Sequence, residues 1–249
     1  MNVDSHRARP FVVSRFDDPS DSCGTTLAPN EVHVWRRYLG VQFKEQEYYR
    51  LLLSPDETAR AQRFRFESDR NNFVVARGTL RELLGRYLTI PPKELRFSYS
   101  TFGRPSVADL SATTAFDFNV SHSGEVALMA FSIGRHIGID VEKVRQDFTT
   151  GEIADRFFSF AECTALRGLS EDQRHAAFFR CWTRKEAFIK ALGEGLSHPL
   201  DRFDVSLDPN TPAALLATRP DSNEAQRWEL SDIELPGDYV AALAVSKSL

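Results

Sequence analysis

The sequence predicts an α+β protein made of two halves of similar plan. Two observations carry this. The periodicity runs strand, helices, strands, and then helices and strands again. Each half also holds one long helix-periodic segment, over residues 69–87 and 172–192. A slight echo accompanies them: Arg63–Phe66 reads RFRF and Arg156–Phe160 reads RFFSF, each ahead of its long helix. The echo is too short to count as a repeat.

Residues 1–29 are rich in Asp, Ser, Pro and Arg, lack periodicity, and are expected to form a flexible arm. The N-terminal half, residues 30–136, opens on a strand carrying Val32, Val34 and Trp35. Ser54, Pro55 and Glu57 then form a helix start: a cap, a first-turn proline and a capping box. The long helix follows, with Phe73, Ala76, Leu80, Leu83, Leu84 and Tyr87 at helical spacing, and Pro91-Pro92 ends the unit. Strands are expected at Leu95–Tyr99, Phe116–Ser121, Val126–Ile133 and Ile137–Glu142, with turns at Thr101–Pro105, Ser123-Gly124 and Gly134-Arg135. In the C-terminal half, residues 137–249, helices return after Phe148, and Ser159 with Glu162 makes a second capping box. The helix over 172–192 stops at Gly193 and Gly195, and strands over Phe203–Leu207, Trp228–Glu234 and Tyr239–Val245 finish the chain.

The net charge of −4 argues against a nucleic-acid partner, which a basic excess would favour. No apolar run approaches the roughly 18 residues that cross a bilayer, and the N-terminus lacks the apolar core of a secretory signal. Cys23, Cys163 and Cys181 are odd in number and scattered, without metal-knuckle spacing. A reducing cytoplasm is the simplest home.

Chemistry concentrates in two acidic segments. In Ile137–Glu142 (IGIDVE), Asp140 and Glu142 lie two apart on a strand, so both carboxylates leave the same face. Adjacent carboxylates repel unless a cation lies between them, and their hard oxygens suit Mg²⁺. Alone, such a pair more often marks the wet face of a strand end. In Trp182–Lys190 (WTRKEAFIK), Glu186 and Lys190 are four apart on one helix face. An exposed ion pair would explain them, but Phe178, Phe179, Trp182, Phe188 and Ile189 make the helix apolar over most of its circumference. Buried Glu and Lys need a partner or a task. A third metal-facing carboxylate and a phosphate-facing lysine supply one.

The polar counterpart is Phe118–Ser123 (FNVSHS). Alternation places Asn119, Ser121 and Ser123 on one strand face and His122 with Val120 on the other. A lone histidine is most often structural, although a position just before a glycine turn also suits a ligand contact. Arg104 sits in a rigid Gly-Arg-Pro turn, and Arg60 lies on the first capped helix with Arg63, Arg65 and Arg70 nearby. One or two of these cations suffice for a phosphate monoester.

From Ser54 to Phe203 the chain resembles the Sfp-type 4'-phosphopantetheinyl transferases. The family's FGKP appears as FGRP at Phe102–Pro105, FNxSHS as Phe118–Ser123, (I/V)G(I/V)D(I/V)E as Ile137–Glu142, and W(S/T)xKEAxxK as Trp182–Lys190, followed by a GxGLS turn at Gly193–Ser197. The resemblance implies two pseudo-symmetric α+β halves with coenzyme A in the cleft between them. It implies Asp140, Glu142 and Glu186 as Mg²⁺ ligands, Glu186 also as general base, and Lys190 on the pyrophosphate. It implies Ser121 and His122 at the adenosine phosphates, with Asn119 and Arg104 beside them and Arg60 at the ribose phosphate. The client would be an apo acyl or peptidyl carrier protein and the enzyme a monomer, with neither nucleic acid nor membrane as partner. Two departures stand out: Arg104 replaces the usual lysine, and Glu57 stands where some relatives carry one.

Two other readings suit parts of the pattern. Paired strand acids with a helical Glu and Lys also fit a metal-dependent nuclease or phosphohydrolase, against which the acidic net charge speaks. A non-catalytic carrier- or nucleotide-binding module would be expected to have lost an acid or Lys190, and all are present.

Overall fold

A computed structural model of the chain describes residues 12–15 (backbone only), 26–29, 31–110, 115–146, 149–208 and 210–247. The N-terminal half comprises β1 (Val12–Arg15), β2 (Val32–Tyr38), α1 (Phe43–Arg50), α2 (Pro55–Gln62), α3 (Glu67–Leu88), β3 (Phe97–Tyr99), β4 (Pro105–Val107), β5 (Phe116–Ser123) and β6 (Val126–Ile133). The C-terminal half comprises β7 (Ile137–Lys143), α4 (Thr150–Phe157), α5 (Phe160–Gly168), α6 (Glu171–Leu192), β8 (Phe203–Val205), β9 (Leu215–Thr218), β10 (Trp228–Asp232) and β11 (Tyr239–Ser246).

Each half is a sheet with a long helix on one face. The first sheet runs β1-β2-β6-β5, and the second runs β10-β11-β7. Strand alternation separates the cores. On β6, Ala127, Met129 and Phe131 pack toward α3, in one cluster with Phe73, Leu80, Leu83 and Leu84. The intervening Val126, Leu128 and Ala130 pack with Ile137, Ile139 and Val141 of β7 and Ala241, Leu243 and Val245 of β11. The two sheets therefore share a central core. Ala242 and Ala244 of β11 face the opposite way, into the cluster of α6 with Phe178, Phe188 and Ile189.

Helix α6 lies unusually close to β7, and Gly138 is the reason. A Cβ there would come within 2.1 Å of the Ala187 carbonyl oxygen and 2.3 Å of the Ala191 nitrogen. The contact brings Glu186 and Lys190 of α6 over the face of β7 that carries Asp140 and Glu142.

Most expected elements form, including both capping boxes. The differences have local causes. Val12–Arg15 pairs in parallel with β2, so the expected irregular arm contains one strand; residues 1–11 and 16–25 of that arm, with Cys23, lie outside the described residues. Helix α1 buries only Tyr49 and offers almost no apolar stripe to read. Pro105, expected in a turn, opens β4, an edge position where its missing N–H costs no ladder bond. Strand β9 is only four residues long. Lys185, like its neighbour Arg184, is turned away from the site that Glu186 and Lys190 face. It is fully buried, donating to the carbonyls of Leu200 (2.7 Å) and Phe203 (2.6 Å) and pairing with Glu162 at 2.8 Å.

Candidate active site

The expected carboxylates meet between β7 and α6. Asp140 is buried, and its Oδ1 accepts from Lys190 Nζ at 2.7 Å and Ser121 Oγ at 2.8 Å. Glu142 Oε2 accepts from Ser123 Oγ at 2.8 Å. Two carboxylate oxygens of this site have no donor among the described residues: Asp140 Oδ2 and Glu186 Oε1 are buried without a hydrogen-bond partner. Burial pushes the Glu186 carboxyl up to about 7, helped by the charges of Asp140 and Glu142 and opposed by Lys190. Glu142 is raised too, chiefly by burial and then by Asp140, while the Ser123 hydrogen bond pulls the other way.

Such a cluster fits a hard divalent cation. Stranded anionic oxygens are costly alone and are the donors Mg²⁺ takes. Among the described residues, no three acidic, histidine or cysteine side chains enclose a cation by themselves. Mg²⁺ tolerates that, since it keeps waters and substrate phosphates among its ligands.

The neighbouring strand β5 holds this face in place. β7 is an edge strand of its sheet and its outer N–H groups need acceptors. Side chains of β5 provide them. Asp117 Oδ2 accepts from Ile137 N (3.1 Å), Asn119 Oδ1 from Ile139 N (2.9 Å), Ser121 Oγ from Val141 N (3.4 Å) and Ser123 Oγ from Lys143 N (3.1 Å). Asn119 and Ser121, expected at the nucleotide, are thus also rungs joining the two halves. Asp117 and Ser123 belong to the same set, and sequence reasoning gave neither a role. Their signal was present, since alternation places all four on one face of β5.

A cleft of about 410 Å³ opens beside this set, lined by Phe102–Pro105, Asn119, Val120, Glu186, Ile189, Lys190, Gly193 and Gly195. His122 follows the expected parity and stands solvent-accessible near it. The crowding of surrounding protein lowers its imidazole pKa, and the charges of Lys190 and Arg60 lower it further. Arg60 is exposed, with its guanidinium 5.3 Å from the Phe73 ring centroid. Arg60 and Lys190 therefore bring positive charge to a neutral His122. Arg104 does not present its charge as expected. Its guanidinium turns inward, to Asp117 (2.7 and 2.8 Å), the Ile137 carbonyl (3.0 Å) and the carbonyls of Lys190 and Ala191. Glu57, the departure on α2, is buried against Arg81 at 2.6 Å and anchors α2 to α3. A smaller aromatic pocket of about 210 Å³ lies on the Glu142 side, lined by Arg145, Ile153, Phe178, Phe179 and Trp182.

Comparison with known proteins identifies the family. Residues 136–244 match the 4'-phosphopantetheinyl transferase superfamily, and residues 42–133 match the N-terminal part of a 4'-phosphopantetheinyl transferase. The chain is similar to the 4'-phosphopantetheinyl transferase HetI of Nostoc sp., at 38% identity over 89% of this chain and 90% of the relative. It is similar to the 4'-phosphopantetheinyl transferase Sfp of Bacillus subtilis, at 33% identity over 81% and 86%. Holo-[acyl-carrier-protein] synthase of Thermotoga maritima aligns in structure over 46% of this chain and 64% of its own, at 24% identity and a TM-score of 0.37. The chain belongs to the 4'-phosphopantetheinyl transferase family. It is an enzyme that transfers 4'-phosphopantetheine from coenzyme A to a serine hydroxyl of a carrier protein, releasing adenosine 3',5'-bisphosphate.

Proposed function

We propose that the reaction takes place between β7 and α6, with Asp140, Glu142 and Glu186 holding Mg²⁺ and Lys190 facing the pyrophosphate of coenzyme A. The observation that carries this is the pair of donorless buried oxygens, Asp140 Oδ2 and Glu186 Oε1, next to an ammonium group. Bound there, Mg²⁺ would supply charge neutralisation for the pyrophosphate. Glu186, through the carboxylate oxygen not engaged with the metal, takes the proton of the attacking serine hydroxyl as general base. The serine oxygen bonds to the β-phosphorus as the bond to the departing bisphosphate oxygen breaks. Lys190 Nζ, 2.7 Å from Asp140 and in the lining of the cleft, stabilises charge on the departing phosphate.

Arg60, Asn119, Ser121 and His122 position the adenosine phosphates, so that nucleotide binding energy aligns the pyrophosphate. The carrier protein is an acyl or peptidyl carrier. The cleft is lined by both halves of one chain, which suits a monomer, and the free thiols Cys163 and Cys181 suit a reducing cytoplasm. No helix among the described residues is long and apolar enough to cross a membrane. Intact-mass measurement of apo carrier proteins incubated with this enzyme, coenzyme A and Mg²⁺ tests the reading. The carrier gains the phosphopantetheine mass, and chelation of Mg²⁺ abolishes the gain; transfer unaffected by chelation rules out the metal assignment.

A further inference from the structure

Arg104 occupies the place where the nucleotide cleft, β7 and the end of α6 meet. Its Nη2 donates to both oxygens of Asp117, at 2.7 and 2.8 Å, and to the Ile137 carbonyl at 3.0 Å. Its Nη1 donates to the carbonyls of Lys190 and Ala191. Asp117 Oδ2 also accepts the N–H of Ile137 at 3.1 Å. One guanidinium thereby ties together the β3–β4 hairpin and β5 of the N-terminal half with β7 and α6 of the C-terminal half.

The chemistry of each partner favours this use. The last carbonyls of a helix lack intrahelical donors and form its negative end, where a cation is stabilising. The turn so capped is the one that carries Lys190, whose Nζ reaches Asp140. Releasing Arg104 toward a phosphate would take from the Asp117 carboxylate and several carbonyls their charged donor, in a place where the side chains are about four-fifths buried. The planar fork of arginine can serve two directions at once, which a lysine ammonium cannot.

We propose that Arg104 and Asp117 form an inter-half latch, a positioning pair that fixes the last turn of α6, and with it Lys190, against β7. Arg104 is then not a ligand of the nucleotide phosphates. The inference rests on the proposed role of Lys190, which Lys190→Ala tests separately, because that substitution lowers kcat whether or not the latch exists.

Steady-state transfer to an apo carrier protein, compared for coenzyme A and 3'-dephospho-coenzyme A, decides the matter. In the full chain, Arg104→Ala and Asp117→Asn each lower kcat, by about 10- to 100-fold for Arg104→Ala. The preference for coenzyme A over its 3'-dephospho form stays within about twofold of wild type in both. The double variant is no slower than Arg104→Ala alone, because both remove one device. Arg104→Lys is also slow. The proposal is overturned if Arg104→Ala abolishes the preference for the 3'-phosphate, if the two effects multiply, or if kcat is unchanged. Should Arg104→Ala fail to fold, Asp117→Asn and Arg104→Lys give the same two readouts.

Discussion

Asp140 and Glu186 each keep one buried oxygen for which the described residues supply no donor. That makes the metal-free protein sensitive to pH in a defined direction. The folded-state pKa of Glu186, about 7, lies above its ordinary value of 4.5, so the folded chain binds this proton more tightly than the unfolded chain. The resulting destabilisation is absent below about pH 4.5, grows as pH rises through that window, and is complete above about pH 7. In chelator, Tm should fall over that range, Mg²⁺ should restore it most at the alkaline end, and Glu186→Gln should flatten this part of the profile. Thermal denaturation with and without Mg²⁺ checks all three. His122 offers the complementary test. Its imidazole is held below the ordinary 6.5, so it is neutral at pH 7 in the free enzyme. An adenosine bisphosphate beside it should raise its pKa, and bisphosphate should bind more tightly as pH falls from 7 to 6. An NMR titration that shows no upward movement on bisphosphate binding removes His122 from the phosphate site.

At the scale of elements, function depends on how closely α6 lies on β7. Gly138→Ala would place a methyl carbon against the Ala187 carbonyl and force the helix away. Expected is a loss of about 1–3 kcal/mol or more in urea denaturation, with kcat reduced more than KM for coenzyme A, since Glu186 and Lys190 move with the helix. Normal stability would mean that the close approach is dispensable. The elements themselves were largely legible. Ser54 with Glu57 and Ser159 with Glu162 announced two helices, and period-two alternation announced the central strands. Helix α1 was not legible, because a charged and tyrosine-rich segment with one buried residue carries no stripe. Nor were β4 and β9, too short for alternation to register.

Over the whole molecule, the site is a product of two halves meeting. The carboxylates were readable because parity on a strand and four-residue spacing on a helix are local properties. The inward turn of Arg104 and the pairing of the Asp117–Ser123 face with β7 were not. They depend on β5 lying beside β7 without a backbone ladder between them, a neighbour relation that no local period encodes. For the same reason Asn119 read only as a nucleotide contact, and its second task, accepting the Ile139 N–H through Oδ1, went unread. Asn119→Ala should therefore lower stability by about 1–3 kcal/mol, by leaving that buried N–H without an acceptor. Chemical denaturation measures this, and an unchanged midpoint would count against the rungs.

The central claim is that three carboxylates brought together by β7 and α6 form the Mg²⁺ site of the transfer. Intact-mass analysis of an apo carrier protein after incubation with coenzyme A, Mg²⁺ and either Asp140→Ala or Glu186→Gln tests it most directly. The account predicts a carrier left unmodified by either variant and loaded by the wild type, with circular dichroism showing both variants folded. Near-normal loading by a folded variant would contradict it.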